Sequence, residues 1–144
     1  MLAASRTARH QKRLTEANQF LRQALDVCNQ LPRHWKVKAV TYSELASLHT
    51  VEGNYREAEK LCRDELSLRE KFHGSRAPET AVATSNLATL LDDAGKSAEA
   101  EPLDRQAVEI LQQLPSFANE ASNSMNNYAR CLHKLGREDE SASL

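Results

Sequence analysis

Aromatic residues are scarce: Trp, Tyr and Phe together make up 5% of the 144 residues, so Leu and Ala must do most of the packing. Cysteine is confined to Cys28, Cys62 and Cys131, odd in number, far apart and without a C-x-x-C pair. That pattern fits reduced thiols at packing positions, not a disulfide framework or a zinc site. Neither sign of charge dominates. Nineteen basic residues face twenty acidic ones, and a net charge of −1 carries no signature of nucleic-acid or membrane-surface binding. No apolar run approaches the roughly 18 residues that span a bilayer, and no secretory apolar region stands near the start. The five histidines are scattered, with no H-x-x-x-H or H-E-x-x-H spacing, and G-x-S-x-G, P-loop and dinucleotide-binding patterns are missing. No cofactor, metal or catalytic role is therefore expected. His49 falls at a normally apolar position and reads as a buried or half-buried, satisfied side chain. Glu99 and Glu101 point to different sides of a helix and read as solvated.

Glycine is also rare, at four residues, yet three of the four close similar segments. GNYREAE (53–59) returns as GKSAEAE (95–101) and, more faintly, as GREDESA (136–142). Ahead of each glycine runs a second echo: SELASLHTVEG (43–53), SNLATLLDDAG (85–95) and NNYARCLHKLG (126–136). Gly53, Gly95 and Gly136 are 42 and then 41 residues apart, a period that marks a solenoid or array. Stacked repeats offer a long surface to a partner and no obvious place for chemistry.

Within the second repeat Leu87, Ala88 and Leu91 form one helical stripe, and Ala100, Leu103, Ala107, Val108, Ile110 and Leu111 form another. Gly95 between them suits a left-handed helix end, so the unit reads as a helix hairpin. Loops broken at Pro32, at Gly74 and Pro78, and at Pro115 separate the hairpins. The expected segments are helices 12–30, 36–51, 54–72, 78–93, 97–113 and 118–134, with a stub at 137–144. Residues 1–11 are read as a basic lead-in. The array then occupies 12–144: a partial unit 12–31, repeats 36–72 and 78–113, and a partial unit 118–144. The helix 12–30 matches the second member of a hairpin without its mate, and 137–144 begins a second member. Both ends of the array read as open.

These residues resemble tetratricopeptide repeats, and within them the long-period type of kinesin light chains and their bacterial relatives. Small-residue positions match Ala46, Ala88 and Ala129 in first helices and Ala58 and Ala100 in second helices. The family's G-x-Y-x-E-A-E turn is similar to Gly53, Tyr55, Glu57, Ala58 and Glu59, and its E-A-E-P-L run to Glu99 through Leu103. Its N-N-L-A appears as Ser85, Asn86, Leu87 and Ala88, and as Asn126, Asn127, Tyr128 and Ala129. Departures are Glu65 where Ala24 and Ala107 stand in other units, and Asp104 in place of a common aromatic. The heptad coiled coil that joins light chains to a motor has no counterpart here. The resemblance implies an all-α, right-handed superhelix of antiparallel hairpins, about six helices plus a stub.

The resemblance also implies that first helices line a concave groove. Register then puts Ser43 and Ser47, Ser85 and Thr89, and Asn126 and Arg130 on the groove side, flanked by Glu44, Asn86 and Asn127. In relatives, asparagines at such positions bond the backbone of an extended peptide, and an amide both donates and accepts. Arg130, assisted by Lys134, has the planar fork to hold a ligand carboxylate. Asp92 and Asp93 make one end of the groove acidic, so a ligand of mixed charge fits better than a purely acidic tail. The expected role is a non-catalytic scaffold that binds a protein or peptide segment in the groove. The rival readings are a structural segment of a longer or self-associating array, and a regulatory segment of a larger protein such as a motor light chain. A cytoplasmic location is expected; the basic start, with Arg6, Arg9, Lys12 and Arg13 ahead of any acid, makes a mitochondrial transit peptide the alternative.

Overall fold

The computed structural model describes the backbone of residues 2–144 and the side chains of residues 6–137 and 139–144. Helices follow one another without a strand among the described residues: α1 Leu2–Gln30, α2 Trp35–Val51, α3 Tyr55–His73, α4 Pro78–Asp93, α5 Ser97–Leu111, α6 Ala118–Lys134 and α7 Glu138–Ser141. One-turn 3₁₀ helices at Pro32–His34 and Pro115–Phe117 lead into α2 and α6. Each helix packs on its sequence neighbour, and α4 also touches α6. The hairpins α2–α3 and α4–α5 are therefore stacked units, flanked by α1 and by α6 with its short α7.

The first helix begins at Leu2, ahead of the expected start at 12. α1 runs unbroken from Leu2, because residues 2–30 contain neither Gly nor Pro and are rich in Ala, Leu, Arg and Gln, which lose little on entering a helix. Residue 1 of the expected lead-in lies outside the described residues. At the other end α5 stops at Leu111 rather than 113, where Leu114 N–H turns back to the Leu111 carbonyl at 3.1 Å.

The three hairpin turns share one geometry. Gly53, Gly95 and Gly136 have φ of 78°, 81° and 71°, the left-handed region. The residue after each glycine then reaches back to close the helix: Asn54 N–H to His49 O, Lys96 N–H to Leu91 O and Arg137 N–H to Leu132 O, at 2.8–2.9 Å. This is the Schellman arrangement, which satisfies carbonyls that a helix end leaves open. The start of α4 is fixed by Pro78 in its first turn and by the Thr80 hydroxyl, which donates to Gly74 O at 2.8 Å.

Helices approach closely because alanine stands at their crossings. Ala58, Ala88 and Ala100 are 0% exposed and pack with Leu45, Leu87 and Leu91 in one core that runs from α2 to Cys131 of α6. Smaller clusters join Ala81, Ile110, Leu111 and Ala121 at the loop end, and Val108, Tyr128 and Leu132 between α5 and α6. Polar groups also enter this interior. His49 is buried as its position suggested, but it is not satisfied: among the described residues neither ring nitrogen makes a hydrogen bond, although Nδ1 lies 3.4 Å from Glu52 Oε2. Glu101 is buried, not solvated. It accepts from the Tyr128 hydroxyl at 3.0 Å and faces Arg105 and Arg137, both at 3.5 Å.

Candidate functional site

The first helices α2, α4 and α6 bring their polar faces around a cleft of about 580 Å³. Ser43, Ser47, Asn86, Thr89, Asn126 and Asn127 all line it, so six of the nine residues expected in the groove do come together. Sequence reasoning missed Thr50, Asn123, Cys62 and Glu65. Asn123 was legible in principle: it lies one helical turn before Asn126 and Asn127, on the same face. Cys62 and Glu65 belong to the second helix α3. The signal for Glu65 was its size, since small Ala24 and Ala107 occupy the matching positions of α1 and α5.

The lining differs in what each group still has to offer. Thr50 and Thr89 hydroxyls donate to the carbonyls of Ala46 and Ser85 at 2.8 and 3.0 Å, so they can only accept from a ligand. Among the described residues, the side-chain amides of Asn86, Asn123, Asn126 and Asn127 make no hydrogen bond. Each is free to donate and accept at once, the pairing that a peptide unit requires.

Three expected groove residues are committed elsewhere. Ser85 is 5% exposed and accepts a hydrogen bond from the Ser124 hydroxyl at 2.9 Å, which ties α4 to α6. Arg130 and Lys134 hold an internal carboxylate instead of offering themselves to a ligand. Arg130 Nε lies 3.2 Å and Lys134 Nζ 2.8 Å from Asp92 Oδ2, and the Ser97 hydroxyl donates to Oδ1. Asp92 is 2% exposed, and a buried carboxylate left without partners is costly, so this position recruits both cations. Burial pushes the Asp92 carboxyl up, but the bonds from Lys134, Ser97 and Arg130 outweigh it and hold the group below the usual range.

No cation lines the cleft itself; its charged groups are the carboxylates of Glu65 and Asp93, and Arg130 stands 3.7 Å from the latter. Burial raises Glu65; Arg69, whose Nε donates at 2.7 Å, and the Ser43 hydroxyl pull it back without cancelling the rise. The cleft is thus a band of free amides and hydroxyls with a neutral to acidic floor. Among the described residues no group of His, Cys, Asp and Glu is arranged to hold a metal ion.

Comparison with known proteins adds the family. Tetratricopeptide repeat models match residues 37–113 and, separately, residues 1–31. No curated protein matches the chain. Among solved structures, BtubC (BKLC) from P. vanneervenii is similar at 18% identity and a TM-score of 0.84, covering 92% of this chain and 54% of that one. A putative kinesin light chain from Podosopora anserina with nearly identical TPR-like repeats is similar at 22% identity and a TM-score of 0.80, covering 98% of this chain and 68% of its own. A variant of the latter gives 0.81. The chain thus spans about half the length of BtubC, and at these identities the likeness shows the superhelical fold. Because the longer match alone takes in more than half of the 144 residues, the chain belongs to the tetratricopeptide repeat family, whose repeats generally mediate protein–protein interaction.

Proposed function

We propose that the protein binds an extended, neutral or basic segment of a partner protein in the cleft between α2, α4 and α6, and that it does so as a non-catalytic scaffold. The observation that carries this reading is the set of four asparagine amides, Asn86 of α4 and Asn123, Asn126 and Asn127 of α6, which line a cleft of about 580 Å³ and have no hydrogen-bond partner among the described residues. Amides of this kind recognise backbone whatever its side chains, and the flanking hydroxyls accept from further N–H groups. Glu65 and Asp93 set the charge preference, because a purely acidic segment would meet like charge.

Peptides enriched from a random display library on the wild-type protein test the reading. The Asn86→Ala, Asn127→Ala double variant, checked by circular dichroism to stay helical, is expected to lose about tenfold to a hundredfold in affinity for them, as hydrogen bonds to a peptide backbone are removed. Unchanged affinity in the helical variant overturns it. A second reading, a self-associating or longer array, is favoured by one feature. Phe20 and Val27 of α1 are 72% and 56% exposed, although Phe20 matches Leu61 of α3, which is 7% exposed. Sedimentation at rising concentration separates the two.

A further inference from the structure

A second surface, at the loop end of the array, shares no residue with the groove cleft. There the C-terminal turn of α3 meets the first turns of α2. Trp35 and Phe72 stack in parallel, with ring centroids 4.6 Å apart and planes 6° from parallel, and His73 meets Trp35 edge-on at 4.9 Å. Beside the stack open two adjoining clefts of about 200 and 160 Å³, and Lys38, Leu68 and Lys71 line both. Lysine ammoniums lie over the local rings: Lys36 at 5.8 Å from Trp35, Lys38 at 5.7 Å from Tyr42 and Lys71 at 5.4 Å from Phe72.

The charge of this surface is unanswered. Among the described residues, none of Lys36, Lys38 and Lys71, which stand over the rings of this patch, is in an ion pair. Elsewhere Arg69, Lys96, Arg105, Arg130 and Lys134 each hold a carboxylate. Asp64 is the single acid lining either cleft. In a chain with a net charge of −1, such a collection of free cations on one patch is a local excess, and its field attracts anions. The patch is also partly apolar: Phe72, in the stack, is 45% exposed, and Leu68 lines both clefts. Aromatic rings fixed by stacking, with cations at their margin, are the surface type on which interface energy concentrates.

We propose that this patch is a second docking site, separate from the groove, for an acidic protein segment that carries an apolar side chain. The apolar side chain enters the cleft against the Trp35–Phe72 stack, and the carboxylates face Lys38 and Lys71. Charge complementarity names the occupant. The groove floor, with Glu65 and Asp93, prefers the opposite charge, so the two sites sort two kinds of segment.

Trp35 is the sole tryptophan, so its fluorescence reports on this site alone. The probe is a synthetic Glu-rich peptide carrying leucines, with its Gln counterpart and a single-stranded oligonucleotide as controls. A saturable change in Trp35 emission that weakens with salt is expected with the Glu peptide only. Lys38→Glu, Lys71→Glu is expected to weaken it about tenfold or more, since two attractive contacts become repulsive. The milder Lys38→Gln, Lys71→Gln variant should fall between, and Asn86→Ala, Asn127→Ala should bind as wild type. No saturable change, equal binding of the Gln peptide, tighter binding of the oligonucleotide, or full affinity in both lysine variants overturns the proposal. Loss of binding in the asparagine variant overturns it too, by assigning the peptide to the groove.

Discussion

Asp104 is 0% exposed on α5, and among the described residues neither carboxylate oxygen has a hydrogen-bond partner. Burial, with the Asp92 charge adding to it, pushes its carboxyl from an ordinary 3.8 up to about 7. The sign of the consequence follows from proton binding. Between pH ~4 and ~7 the folded protein keeps a proton that the unfolded chain has released, so stability falls as pH rises through that window and is level above it. The span from 3.8 to about 7 corresponds to roughly 4 kcal/mol at pH 8. Asp104→Asn removes the charge at every pH. Urea melts of this variant and of wild type are expected to nearly coincide at pH 4 and to favour the variant by a few kcal/mol at pH 8. Parallel curves across that range would rule out the buried, protonated carboxyl. Asp92, a neighbour of opposite character, is held low by its cations and lends stability that is lost only on acidification below its ordinary range.

At the scale of elements, the glycine turns show what a sequence reading can recover. A left-handed helix end is a local requirement, and glycine meets it without steric cost, so the period and the hairpins were legible from Gly53, Gly95 and Gly136 with the echoed segments and apolar stripes on either side of them. Pro78 and Gly74 marked their loop for the same local reason. The groove amides were legible too, because register follows from helical period. What stayed hidden depends on contacts between elements. Arg130 and Lys134 look like free groove cations until α6 is laid against α4 and Asp92 appears between them, 38 and 42 residues away. Ser85 and Glu101 were likewise misplaced, since only packing shows that Ser124 and Tyr128 cover them. The turn itself is testable. A Cβ on Gly95 meets no atom within 4 Å, so Gly95→Ala probes backbone conformation and not crowding. It is expected to lower the urea midpoint, by an amount that corresponds to about 1–2 kcal/mol of stability, with Gly95→Asn costing less, because asparagine tolerates this region better. An alanine variant as stable as wild type would mean that the turn has another conformation in solution.

Across the whole molecule, stability is set by position in the stack. In a linear array each unit touches only its neighbours, so interior helices gain two faces of contact and end helices gain one. α4 lies between α3 and α5, also touches α6, and buries ten of its sixteen residues. α1 packs on α2, and Cys28 is its one buried hydrophobic residue among the described side chains, while Phe20 and Val27 stay exposed. α7 is four residues long and is held through the Ser141 hydroxyl, which donates to Ala129 O at 3.2 Å. Local opening follows such differences in buried contact. Amide hydrogen exchange is therefore expected to be slowest in α4 and α5, intermediate in α2, α3 and α6, and fastest in α1 and α7. The same gradient bears on recognition. The groove cleft draws on α4 and its neighbours, and so rests on the most protected helices, while the Trp35–Phe72 patch lies between α2 and α3, nearer the weaker end. A groove ligand should raise protection mainly in α2, α4 and α6, whereas an acidic segment on the patch should slow exchange in α2 and α3 and spread to α1, which packs on α2. Uniform protection along the free chain would contradict the graded stack, because it requires α1 to be held by contacts that its exposed Phe20 and Val27 do not make here.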